Sequence, residues 1–286
     1  MVVLVTGASG QLGQSIQFIA SQYPEMQFIF ASSTDLDITN SERVNTYFSQ
    51  NKIDFCVNTA AYTAVDKAET DIEKAKLVNI EGPKNLAIAC QKNNVTLIHI
   101  STDFVFDGEG KIPYVEKDKT NPIGVYGQTK LDGEREVIAH CTKHFIIRTS
   151  WVYSQFGNNF MKTMLRLAQD RTELNVVSDQ IGTPTNAVDL ADAILTIIQN
   201  CHSEQREESF HGVYNFSNEG ICSWYDFAVE IFKQNHITIQ VNPIPTEAYP
   251  TPAKRPKFSV LDKSKIKSTF GIKIKNWQDA LAQTKI

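Results

Sequence analysis

The sequence has no excess of positive charge. Its 28 lysines and arginines are outnumbered by 32 acidic residues, for a formal net charge of −4 over 286 residues. No basic block offers contacts to a phosphate backbone, so a nucleic-acid partner is not expected. Cysteine provides no scaffold either. Cys56, Cys90, Cys141, Cys201 and Cys222 are odd in number and widely scattered, without a C-x-x-C pair, so neither a disulfide framework nor a zinc site is suggested. The six histidines lack metal-ligand spacing. No apolar run is long enough to cross a bilayer, and no membrane association is expected. The chain opens on "VVLV" without a basic flank or cleavage pattern, from which a reducing, cytoplasmic setting is expected.

What is present is an alternation. With 42% hydrophobic and 21% charged residues, the chain can bury a full core. "VVLVTG", "MQFIFAS", "DFCVNTA", "VTLIHIST" and "HFIIRTS" are short apolar runs rich in β-branched residues. Between them lie stretches of helical character, among them "QLGQSIQFIASQ", "SERVNTYFSQ" and "DIEKAKLVNIEGPKNLAIACQ". Strands alternating with helices imply right-handed crossovers and a parallel sheet covered on both faces. The expected fold class is α/β, a Rossmann-type doubly wound sheet with a smaller C-terminal lobe. Residues 1–150 would form the NAD(P)-binding domain. Residues 151–286 would form mainly the substrate lobe, with some later segments returning to the first half. "NNFMKTMLRLAQD" and "NAVDLADAILTIIQN" read as amphipathic helices, and "SEQREES" near residue 206 as a solvated loop. "PIPTEAYPTPAKRPK" is irregular and should wrap a surface or line a cleft; its Lys254, Arg255 and Lys257 suit a phosphorylated small molecule.

"TGASGQLG" places Gly7, Gly10 and Gly13 between the first strand and first helix. Glycines there let the backbone turn tightly and approach a pyrophosphate seated on helix N-terminal N–H groups. The G-x-x-G-x-x-G spacing is that of short-chain dehydrogenases/reductases. The second strand ends in Ala31, Ser32 and Ser33, with no acid to repel a 2′-phosphate, so NADPH is slightly favoured over NADH. Asp37 and Ile38 would flank adenine, unless Asp37 only caps the next helix. Thr59, Ala60, Ala61 and Tyr62 follow the third strand and would face the cofactor's ribose and phosphate.

The fourth strand ends in Ser101, Thr102 and Asp103, at the carboxyl edge where doubly wound sheets bind ligands. Tyr126 and Lys130 lie on one face of a following helix. Reducing a ketone requires a hydride on carbon and a proton on oxygen. An ammonium and a nicotinamide cation would lower the phenol's pKa towards the working range. Thr102 could donate to the carbonyl oxygen as charge develops on it. Each residue also has an ordinary reading: capping for Thr102 and Asp103, packing for Tyr126, solvation for Lys130.

"NTAAYTAVDKAE", "STDFVFDG", "NPIGVYGQTKLDGE", "RTSWVY", "DQIGTPT" and "TPAKRP" together resemble the extended short-chain dehydrogenases/reductases, and within them the dTDP-4-dehydrorhamnose reductase family. The resemblance runs from residue 4 to about residue 265. It implies reduction of the C4 ketone of a dTDP-linked deoxysugar, with Tyr126 as proton donor and Lys130 holding the ribose. Thr102, Asp103, Phe104, Val65 and Trp151 would meet the sugar, and Arg255 the diphosphate. Gly10, Gln11 and Leu12 would form the cofactor loop, beside Asp37, Ile38 and Ala60–Tyr62. The same resemblance reaches reductases of other nucleotide-linked keto-sugars. It also reaches a non-catalytic dinucleotide-binding subunit, the β-subunit of methionine adenosyltransferase. Phe104 stands where sugar-nucleotide dehydratases carry a glutamate, which favours a net reductase. Some relatives bind magnesium at a dimer contact. The corresponding positions here are Ser15 and Val188, so magnesium's usual ligands are absent although magnesium itself stays open, as do monomer and homodimer.

Overall fold

The computed structural model describes residues 1–203 and 210–284. The stretch "SEQREES" beyond Ser203 lies outside them. Strands β1 (Val2–Thr6), β2 (Gln27–Ala31), β3 (Phe55–Asn58), β4 (Thr96–Thr102) and β5 (His144–Thr149) coincide with the five apolar runs. Two further strands of the second half are β6 (Glu173–Val177) and β7 (Gly212–Asn215), followed by β8 (Gln240–Ile244). The main sheet has the order β7-β5-β4-β3-β1-β2, every neighbouring pair parallel. β7 brings the chain back from its second half to extend the first sheet beside β5.

A parallel sheet clothed on both faces must bury successive side chains alternately to either side. Val3 and Val5 of β1 join one apolar cluster with Val57, Ile98, Phe145 and Ile147, covered by helices α1 (Gln11–Ile19) and α6 (Ala187–Ser203). Leu4, Cys56, Leu97 and Ile146 point the other way, into a cluster with α2 (Ser41–Gln50), α3 (Gly82–Asn93) and α4 (Val125–His140). A fully buried side chain such as Ile98 contributes roughly 1.5–3 kcal/mol relative to an exposed one. A third cluster, centred on Tyr153, Met161, Phe227 and Trp277, holds together α5 (Phe160–Asp170), β6, β8 and α7 (Trp224–Gln234).

β2 lies on one side of β1 and β3 on the other, so the chain reverses direction across the sheet between β1 and β3. At such a reversal the loops leaving the two carboxyl ends part and leave a crevice. Gly7 and Thr59 open those two loops.

Candidate active site

The crevice is shaped by backbone. Gly7 has φ +69°, and a Cβ there would come within 2.6 Å of the Ala60 nitrogen, so only glycine allows the two loops to lie this close. Gly10 N donates to Gly7 O at 2.9 Å, and Gly10 is the N-cap of α1, with no side-chain cap for the first-turn N–H groups. Gly7, Gly10, Asp37, Ile38, Ala60 and Ala61 line one cavity of about 270 Å³, together with Ser9, Ser33 and Val78. Leu12 faces the core instead, and Gly13 packs on Ala8. The Gln11 side chain turns from the cleft towards the second half: Nε2 donates to Val152 O at 3.1 Å, and Oε1 accepts from Asn159 Nδ2 at 2.7 Å. Asp37 does not cap α2; Asn40 does, accepting from Arg43 N at 3.0 Å. The Asp37 carboxylate instead accepts from Thr39 N and Oγ1, at 2.9 and 2.7 Å.

The second group of residues gathers at the carboxyl end of β4. Thr102 Oγ1 donates to Asp103 Oδ1 at 3.0 Å and accepts from Phe104 N at 3.2 Å. Asp103 is buried, and its Oδ2 has no hydrogen-bond partner in the protein. Burial pushes its carboxyl up to about 6, against the nearby Ser259 and Thr102 hydroxyls, which favour the charged form. α4 begins directly opposite. A Cβ on Gly127 would lie 2.2 Å from Phe104 O, so glycine lets the first turn of α4 touch this strand end. Tyr126 packs edge-on to Phe104, with ring centres 5.6 Å apart.

The expected lowering of the Tyr126 pKa is not produced by the protein groups. The phenol is pushed up to about 12, chiefly because the protein around its hydroxyl disfavours the phenolate; Thr102 opposes this and the Asp103 charge adds to it. Lys130 lies one turn further along α4. Its Nζ is buried and donates to Ile100 O at 2.6 Å, and desolvation pulls it down to about 8.

Two substrate-side expectations are also modified. Trp151 is not free on both faces: its ring stacks on Trp224, 3.7 Å between centres. It does so with φ +48°, a left-handed conformation that costs an aromatic residue about 1–3 kcal/mol. Arg255 is not an unpaired guanidinium. Nη1 and Nη2 donate to the two Asp66 oxygens at 2.9 and 2.8 Å, holding that carboxyl below its usual range. Asp66 and Val65 belong to a single helical turn, Val65–Ala68, so this pair ties the proline-rich strap to the turn.

Against this geometry the family model described as the RmlD substrate binding domain matches residues 1–285. The chain belongs to that family. It is 41% identical to a dTDP-4-dehydrorhamnose reductase of Aggregatibacter actinomycetemcomitans, covering 98% of this chain and 96% of that protein. A solved dTDP-4-dehydrorhamnose reductase of Clostridium acetobutylicum superimposes with a TM-score of 0.93 at 45% identity, covering 99% and 98% of the two chains. The reductase of Bacillus anthracis, solved in complex with NADP, gives 0.92 at 37%, covering 98% and 96%.

Within this RmlD-type site several contributors are not evident from sequence. Leu77–Glu81 forms a π-helical turn, an irregularity often found at functional sites, and it carries the buried Asn79. Asn79 Oδ1 accepts from Tyr62 N at 2.8 Å, and its Nδ2 donates to Tyr62 O and Thr129 Oγ1, joining the cleft wall to α4. The Tyr62 hydroxyl turns to Asp71 at 3.1 Å. Glu69 Oε1 accepts from Val125 N at 2.9 Å and so caps α4, whose N-cap Gly124 has no side chain to do it. Behind Lys130, Glu134 and Arg148 form a buried pair with bonds of 2.9 and 2.7 Å, and Ser101 donates to the same Glu134 at 2.5 Å. An arginine inside the apolar run "HFIIRTS" was the available signal.

The two positions weighed above for a metal ligand are Ser15 and Val188. The Ser15 hydroxyl is bonded to Gln11 O at 2.9 Å, and Val188 packs against the core. Among the described residues no helix is long and apolar enough to cross a membrane.

Proposed function

We propose that this chain reduces the C4 ketone of dTDP-4-dehydro-L-rhamnose to give dTDP-L-rhamnose, using NADPH or NADH. The observation that carries this reading is the convergence of Thr102, Asp103, Tyr126 and Lys130 on one strand end beside the Gly7–Ala60 cleft. Relatives named for that activity, matched over nearly their whole length, support the substrate class.

The residues present fit a dinucleotide. Its diphosphate would rest against Gly7, Gly10 and the N–H groups opening α1, including that of Gln11, with Ala60, Ala61, Asp37 and Ile38 alongside. When bound, the reduced nicotinamide supplies the hydride. Tyr126 gives its proton to the C4 oxygen; a phenol near 12 is fully protonated at neutral pH, which is the form a reduction consumes. The Thr102 hydroxyl donates to the oxygen as it gains charge. The unpartnered Asp103 Oδ2 is an acceptor for a sugar hydroxyl. Lys130 holds the ribose and restores the phenol's proton. Val65, Phe104 and the open edge of Trp151 border the deoxysugar. Arg255, held in place by Asp66, approaches the nucleotide diphosphate.

NADPH is the better-supported cofactor. The NADP complex of the Bacillus anthracis protein supports it. So does the end of β2, where Asp35 Oδ2 is folded back onto Ser32 N and Oγ, at 2.9 and 2.6 Å. The Arg43 guanidinium lies beside Thr34 O and Asp35 O, both at 3.5 Å, and would be the cation for a 2′-phosphate. A reducing, cytoplasmic setting accords with five buried cysteines, none of them in a disulfide.

The test is to mix purified protein with dTDP-4-dehydro-L-rhamnose and either NADPH or NADH, and to follow the absorbance of the reduced nicotinamide. Loss of absorbance is expected with both and faster with NADPH. No loss with either overturns the reading.

A further inference from the structure

β4 carries a histidine that the chemistry above leaves unused. His99 is fully buried, with Nδ1 3.1 Å from Asn58 Nδ2 and Nε2 3.5 Å from Lys130 Nζ. Its neighbours determine which nitrogen holds the proton. Asn58 Oδ1 accepts from the Ala60 backbone N–H at 3.1 Å and from Thr6 Oγ1 at 2.8 Å. A backbone N–H can only donate, so the amide oxygen must face Ala60 and the amide nitrogen must face His99. That nitrogen in turn can only donate, which makes His99 Nδ1 the acceptor. Burial keeps the imidazole neutral, far below its ordinary pKa, so its single proton stands on Nε2 and points at Lys130.

An ammonium has three donors and no acceptor, whereas an amine has a lone pair. We infer that His99 is a positioning residue for proton return: its Nε2–H meets the lone pair of uncharged Lys130, and so makes the Lys130 ammonium a readier donor to the Tyr126 phenolate. This rests on the roles given above to Tyr126 and Lys130. Once Tyr126 has protonated the sugar oxygen, an N–H bond of Lys130 breaks and an O–H bond forms on Tyr126, directly or over an intervening hydroxyl. The bonding pair stays on Nζ, where His99 Nε2–H donates to it; nothing is oxidised or reduced in this step.

The other groups facing Lys130 pull in both directions. Glu134, one turn along α4, favours the ammonium, but Arg148 from β5 engages both of its oxygens. Asp103, just past β4 and beside Tyr126 rather than Lys130, is itself pushed up to about 6. Desolvation opposes the charge and brings Lys130 to about 8, well below the phenol it re-protonates, so the transfer runs downhill.

The decisive measurement is ¹⁵N NMR of the histidines in the native protein. His99 should show an unprotonated Nδ1 and a protonated Nε2; the opposite tautomer, or an imidazolium at neutral pH, overturns the inference. A second measurement is the Lys130 titration, read from its Cε resonance and assigned by its loss in Lys130→Met. In His99→Leu the midpoint should rise by roughly half a unit to one unit, the worth of one hydrogen bond. His99→Gln, which keeps a donor, should recover most of it. The alkaline limb of the kcat profile should move with the midpoint. An unchanged Lys130 midpoint in His99→Leu overturns the inference, and if that variant does not fold, the native tautomer alone decides. Neither resonance depends on turnover, so a failure of the roles assigned to Tyr126 and Lys130 would be seen separately, as activity surviving in Tyr126→Phe.

Discussion

Trp151 and Trp224 lie face to face, 3.7 Å between ring centres and 12° from parallel. Trp151 follows just past β5, while Trp224 begins the first helical turn of α7 in the third cluster. The stack therefore couples the lobe to the strand end where Tyr126 and Thr102 meet. It covers one face of the Trp151 ring, whose backbone is in the left-handed conformation.

Truncating either ring should separate two effects. Trp151→Ala should raise the KM for the sugar nucleotide about tenfold, the scale of one aromatic contact, and leave the KM for NADPH nearly unchanged. Trp224→Ala should produce the same split, with a loss of about 3–5 kcal/mol in urea unfolding. Equal rises in both KM values would confine Trp151 to packing.

The Asp66–Arg255 pair is partly exposed, at 40% and 26% of its side-chain surfaces, so its removal should cost at most about 1 kcal/mol of stability. Its function is positional. Asp66→Ala should leave the melting temperature almost unchanged, yet raise the sugar-nucleotide KM, because the strap loses its anchor on the Val65–Ala68 turn. A thermal scan and a KM titration on the same sample check both halves.

Asp103 gives a pH dependence with a definite sign. Its carboxyl is at about 6 in the folded protein against an ordinary 3.8. The folded state thus holds this proton more tightly than the unfolded chain. Its charging therefore erodes stability as pH rises from about 4 to beyond 6, by up to about 3 kcal/mol. Asp103→Asn should be more stable than the native protein at pH ~8 and lose that advantage near pH ~4, while its turnover falls. Urea denaturation at the two pH values measures it.

Arg43→Ala should weaken NADPH roughly tenfold or more, as loss of a charged hydrogen bond would, and leave NADH little affected. KM values for both cofactors suffice. Parallel losses would remove Arg43 from the 2′-phosphate site.

The pattern of what was legible in the sequence is physical. β1 to β5 could be read because a parallel strand buried on both faces is an unbroken apolar run. β7 could not: "GVYN" is four residues with glycine and asparagine at its ends, and it is a strand only because β5 offers a free edge. Tyr126 and Lys130 were legible because helical spacing is local. The Asp66–Arg255 pair is not, since 189 residues separate its members. Neither is the π turn at Asn79, whose side-chain periodicity differs too little from that of an α-helix. The desolvation that dominates at the Tyr126 hydroxyl is also invisible in sequence, where only charges can be counted.

Transfer of deuterium from [4-²H]NADPH to the sugar, followed by NMR of the product, tests the proposed reaction most directly. The native protein should place deuterium on C4 of a dTDP-linked rhamnose. Tyr126→Phe should bind the cofactor with near-native affinity and turn over about 100-fold more slowly or less, as expected when a general acid is removed. No deuterium at C4 with the native protein, or undiminished transfer by Tyr126→Phe, would contradict it.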